Sequence, residues 1–276
     1  MKNLKSILLM VLYGILFIIL ESISTMVALI YKINIDEEYA NSLLNAIENL
    51  DYSNIETVNT YMTLCYEIIP MVLILTTLLS LVPIGIYIYK KKIKLMKKIP
   101  IIDGIQLCSF AIVINIVISA IVSALPENLL SSHSEATGYL NSLPFIPMLL
   151  SIGILAPLIE ELFFRFLMVN KLKSKPILAI ILPALTFGIV HGNIVQGTYA
   201  FILGMLFSYI YLKTDNLLNT FILHASINSS SVIISFIPVE ASIVLVGISF
   251  ILTIILFIKN KNFLQTKQDI IKENAI

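Results

Sequence analysis

Glu160 and Glu161 stand side by side in an apolar run, with Arg165 four residues beyond the second. Consecutive helical residues point about 100° apart, so the two glutamates cannot share one helix face. Glu161 and Arg165, at i and i+4, can pair. Arginine suits that pairing because its planar fork meets a carboxylate in two parallel bonds and stays charged when buried. Glu160 is left to face another neighbour, where burial and a nearby imidazole would tune it as a general base. Imidazoles are available, since two of the three histidines, His191 and His224, also lie in apolar runs. Phe187 precedes His191 by one helical turn and Asn228 follows His224 by one turn. Three helices carrying these pieces would bring Glu160, His191, His224 and Asn228 around one cavity.

Each residue alone has a plainer reading. Glu161 and Arg165 serve well as a structural pair, and intramembrane His or Asn residues commonly join helices by hydrogen bonds. Phe187 by itself is core packing. Glu21 and Glu67 lie in or near other apolar runs with no partner visible in the sequence, and His133 lies in a polar stretch; no chemistry is assigned to these three. The order of three separate pieces carries the argument.

The elements that position them must be membrane helices. The chain has 276 residues, 58% hydrophobic and 13% charged, with a mean hydropathy of +0.95. A soluble domain is about 45–50% apolar and about 25% charged, so cytosolic, secreted and disordered classes are excluded. A balance of 18 basic and 17 acidic residues excludes nucleic acid as the main partner. Two cysteines cannot build a disulfide framework, and their apolar surroundings predict small buried side chains.

Spanning a bilayer takes about 20 apolar residues. Eight such runs lie near 6–30, 64–89, 101–125, 144–169, 176–195, 197–212, 217–237 and 240–258, the sixth being the shortest, with a kink or re-entrant piece possible at Gly192–Gly197. The first follows Lys2 and Lys5 and is too long for a signal-peptide core, so it reads as a retained helix. Lysines fill the loops near 90–98 and 171–175 and the tail after 258, while acidic residues crowd 32–62. With eight spans all lysine-rich segments fall on one side, which predicts a multi-pass cell-membrane protein with both termini cytoplasmic. The fold class is therefore an all-α polytopic transmembrane helix bundle of about eight helices, with a catalytic core of roughly four. Its expected organisation is 1–143, N-terminal helices with an acidic extracytoplasmic segment (32–62) too short for a core of its own; 144–236, the motif-bearing core; and 237–276, a last helix and a solvated tail.

Taken together, the pieces E-E-x-x-x-R, F-x-x-x-H and H-x-x-x-N resemble the three signature motifs of the CPBP intramembrane protease family, which includes CAAX prenyl endopeptidases of the Rce1 type and bacterial Abi proteins. Glu160, Glu161, Arg165, Phe187, His191, His224 and Asn228 fill every defining position. The resemblance covers roughly residues 144–236. It implies an endopeptidase in which Glu160 and His191 activate the attacking water and His224 and Asn228 stabilise the oxyanion, with Glu161, Arg165 and Phe187 in support. It implies no cofactor; the alternative is Zn2+ held by Glu160, His191 and His224 with water in the fourth place. The expected partners are the lipid bilayer and a membrane-associated peptide or protein, in peptide maturation or bacteriocin self-immunity. The Lys/Ile/Asn-rich composition suggests a bacterial source. Two other classes compete: a non-catalytic membrane immunity or binding protein, and a transporter using buried Glu and His as proton relays.

Overall fold

The computed structural model describes residues 2–137 and 144–260. Among them every regular element is helical. The order is α1 (Lys2–Ile35), α2 (Glu37–Glu48), α3 (Ile55–Glu67), α4 (Ile69–Lys91), α5 (Ile101–Ser123), α6 (Glu127–Thr137), α7 (Phe145–Leu172), α8 (Pro176–Val190), α9 (Ile194–Thr214), α10 (Leu217–Phe236) and α11 (Val239–Lys259). Seven of them, α1, α4, α5, α7, α9, α10 and α11, are long and apolar enough to cross a membrane. The chain is an all-α, multi-pass membrane bundle.

Local chemistry sets the boundaries. Pro100, Pro144 and Pro238 stand just before α5, α7 and α11, and Pro176 opens α8; each has a fixed φ, and none can donate into a preceding helix. Asn side chains cap α3, α9 and α10, with Asn193 accepting from the N–H groups of Val195 and Gln196. That cap corrects the expected division of residues 176–212. The shorter helix is the fifth run, not the sixth: α8 has 15 residues, about 22 Å at ~1.5 Å per residue, against a hydrocarbon thickness of about 30 Å. The break is a tight turn in which Gly192 takes φ +71°, a left-handed conformation open to glycine.

Residues 32–62 are largely helical. Helix α2 lays Tyr39 and Leu43, and α3 lays Tyr61 and Leu64, against Ala28 and Ile68, so the segment shares a small apolar cluster with the ends of α1 and α4. The cysteines are a further correction. Cys65 is half-buried and Cys108 is exposed, because apolar side chains of a membrane helix face lipid as readily as core. The expected tail after 260 lies outside the described residues.

Close helix packing rests on small residues. A Cβ added to Gly188 or Gly197 would meet the other's carbonyl oxygen at 2.7 Å, and one added to Gly204 would meet Ala184 at 3.0 Å. Such contacts let α8 and α9 meet backbone to backbone, as small residues do inside membranes. Gly197→Val should therefore spread the pair and lower stability by about 1–3 kcal/mol, visible as a reduced melting temperature in detergent. Unchanged melting would contradict this packing.

The lysine-rich segment after α4 is pinned to the α9–α10 turn. Asn216 exchanges two bonds with the Lys97 backbone, both 2.9 Å, and Leu217 N–H donates to Leu95 O at 3.0 Å. Asp215 meets the ammonium groups of Lys173 at 2.5 Å and Lys97 at 3.4 Å. Partial burial pushes its carboxyl up, but the two lysines outweigh it and hold the group below the usual carboxylate range. A depressed pKa contributes stability above the ordinary carboxylate pKa, lost as pH falls through the lowered value. Asp215→Asn should erase that acid-side loss, under about 1 kcal/mol for so exposed a pair. Melting curves of wild type and variant that run parallel from neutral to acid pH would contradict it.

Candidate active site

Helix α7 is irregular where the glutamates lie. Its turns widen to the π form at Leu149–Leu155 and Glu161–Val169, around an ordinary turn at Ala156–Glu160 that contains Pro157. Wide turns of this kind recur at functional sites. Pro157 has no N–H, so the carbonyls a donor there would meet, Ile152 in a wide turn or Gly153 in an ordinary one, need other partners. Helix α10 supplies them. Asn228 Nδ2 donates to Ile152 O at 3.2 Å and Ser229 Oγ to Gly153 O at 3.3 Å. Gly153 lets α10 approach, since a Cβ there would meet Ser229 Oγ at 2.6 Å. The irregularity in α7 thus doubles as the dock for α10, which carries His224.

Behind the glutamates sits a fully buried ion pair, Glu161 Oε1 to Arg165 Nη1 at 3.2 Å. The guanidinium lies between two rings, 4.7 Å from the centroid of Phe187 and 4.9 Å from that of Phe207. Desolvated cation–π contacts are worth about 2 kcal/mol each. Phe187 therefore does more than fill space. It holds Arg165 and meets both histidines edge to face, His191 at 4.6 Å and His224 at 5.7 Å.

The two imidazoles are oriented by their Nδ1 atoms. His191 Nδ1 lies 2.6 Å from Phe187 O, an atom that can only accept, so Nδ1 carries the proton and Nε2 is left with a lone pair. His224 Nδ1 lies 2.9 Å from Glu161 Oε1, while its Nε2 lies 3.4 Å from Glu160 Oε2. The ring of His224 stacks on Phe207, centroids 4.8 Å apart.

Glu160, His191, His224 and Asn228 all line one cavity of about 310 Å3. Zinc would need Glu160, His191 and His224 within reach of one point, yet among the described residues no group of three His, Cys, Asp or Glu side chains is so arranged. The same cavity holds a residue to which sequence reasoning assigned nothing. Glu21 of α1 lines it, one turn after Phe17. The site residues with which it shares the cavity stand well over a hundred positions away in the chain, so no local spacing could reveal it; an unexplained acid in an apolar span was the available signal. Gln196 and Tyr199 of α9, Ser231 of α10 and Thr137 of α6 add further polar groups to the wall. Glu67 instead pairs with Lys32 at 3.5 Å, and His133 meets Tyr199 edge to face, with burial lowering its pKa.

Residues 142–230 match the family model described as Type II CAAX prenyl endopeptidase Rce1-like. They form an Rce1-like region. It contains all seven motif residues and most of the cavity walls formed by α7 to α10, and it supports an intramembrane protease kind of function. UPF0177 protein YxdF of Lactococcus lactis subsp. lactis is 28% identical over 123 residues, covering 43% of this chain and 68% of that protein. No solved structure gives a significant match.

Proposed function

We propose that the chain is an intramembrane endopeptidase that hydrolyses a peptide bond in a membrane-associated peptide or protein. The observation that carries the reading is the single cavity onto which Glu160, His191, His224 and Asn228 open, with both imidazoles held through Nδ1. Glu160 and the free Nε2 of His191 take the proton of the attacking water and return it to the leaving amine. His224, with a proton on each ring nitrogen, donates from Nε2 to the developing oxyanion; the 3.4 Å separation from Glu160 is loose enough for that hydrogen to be redirected. One amide hydrogen of Asn228 braces α7 and the other joins the oxyanion site. Each such donor is worth about 3–4 kcal/mol of transition-state stabilisation. Glu161, Arg165 and Phe187 hold His224 and His191 in place. The termini lie on the cytoplasmic side of a bacterial membrane.

The test is reconstitution of the purified chain in vesicles with membrane and secreted peptides from cells lacking it, in water labelled with heavy oxygen. New C-termini carrying the label are expected; their absence would remove hydrolysis from the account. The mechanism uses no metal, so incubation with a strong chelator should leave the rate unchanged. Complete loss restored by zinc would overturn that part.

A further inference from the structure

Resting on the peptidase reading, we infer that Glu21 makes the cavity selective for substrates with a lysine or arginine close to the scissile bond. Within its membrane span, Ile7–Ile35, Glu21 and Lys32 are the only charged residues, and Glu21 faces the cavity. An ionisable group in a span costs several kcal/mol unless something compensates it. The described protein offers no compensation: the Glu21 carboxylate has no ion pair or hydrogen bond among the described residues, and no lysine or arginine lines the cavity.

The charge tally makes the need explicit. Glu21 and Glu160 line the cavity together with His224, and Glu161 stands behind them against Arg165 and His224. In the charge state that the proposed mechanism uses, with His224 carrying both ring protons and His191 neutral as a base, three carboxylates face two cations and one negative charge is left over. Glu161 is engaged by Arg165 and His224, and Glu160 is assigned to the water. Glu21 therefore holds the charge that a substrate cation would meet. It also comes from α1, outside the residues 142–230 that carry the shared motifs, so it can select without taking part in the chemistry. Ammonium and guanidinium groups fit the site, and an acidic substrate side chain would be repelled.

The test uses the reconstituted full chain and an apolar, N-acetylated peptide library in which each peptide carries one Lys, Gln or Glu at a defined position. Acetylation leaves the side chain as the only cation. Mass spectrometry reads the cleavage ratio of Lys to Gln peptides within each enzyme. Wild type should prefer Lys by about tenfold or more, as for a charge pair formed out of water. Glu21→Gln should flatten the ratio, and Glu21→Lys should invert it toward Glu peptides. A ratio near one in wild type, or one unmoved by Glu21→Gln, overturns the role of Glu21 while leaving the peptidase intact. No cleavage of any peptide by wild type, together with no labelled termini in the vesicle test, removes the peptidase reading and this inference with it.

Discussion

Glu160→Gln, in purified and reconstituted protein, is expected to lower the rate of peptide cleavage by about 10²–10⁴, the usual contribution of a positioned general base. The change keeps the shape and the capacity to hydrogen-bond and removes the ability to take a proton. Glu160 is not part of the buried pair that holds α7, α8 and α10 together, so the variant should fold and insert as wild type does. Melting temperature and membrane level are the controls. Retention of full activity in a correctly folded Glu160→Gln protein would mean that the water is activated elsewhere.

Arg165→Met is expected to have the largest effect on stability. Removing one member of a buried pair costs about 3–5 kcal/mol because the partner is left charged and alone. Glu161 would be that partner, and the two rings that sandwich the guanidinium would lose their cation. Adding Glu161→Gln should recover most of the lost stability, since the uncompensated charge goes too. The double variant should nonetheless cleave poorly, because the amide holds His224 less firmly than a carboxylate does. Thermal unfolding in detergent of the wild type, the two single variants and the double variant measures this. A single Arg165→Met as stable as wild type would contradict a structural role for the pair.

Much of the bundle was legible because hydropathy alone separates membrane helices from loops. It separated two helices between 176 and 212 but set their boundary a few residues late, because Ile194 and Val195, which open α9, are as apolar as the helix before the turn. The turn there is marked instead by single residues, Gly192 with its positive φ and Asn193 with its cap. Hydropathy also says nothing about which side of a helix faces lipid, which is why Cys108 was misplaced. At the site, spacing along one helix gave the Glu161–Arg165 pair and set Phe187 beside His191. Contacts made across helices were out of reach. His224 bridging Glu160 and Glu161, Asn228 answering the carbonyl left by Pro157, and Glu21 entering the cavity from α1 all depend on packing over long stretches of chain.

The central claim is that this cavity cuts peptides with the help of Glu160. The most direct measurement compares membrane and secreted peptides, by mass spectrometry, in cells carrying wild type or Glu160→Gln at matched protein levels. The account predicts at least one peptide whose cut form is present with wild type and vanishes with the variant, its uncut form accumulating in the membrane. Identical peptide profiles, together with full biological function in the Glu160→Gln cells, would contradict it and leave a non-catalytic binding protein as the better description.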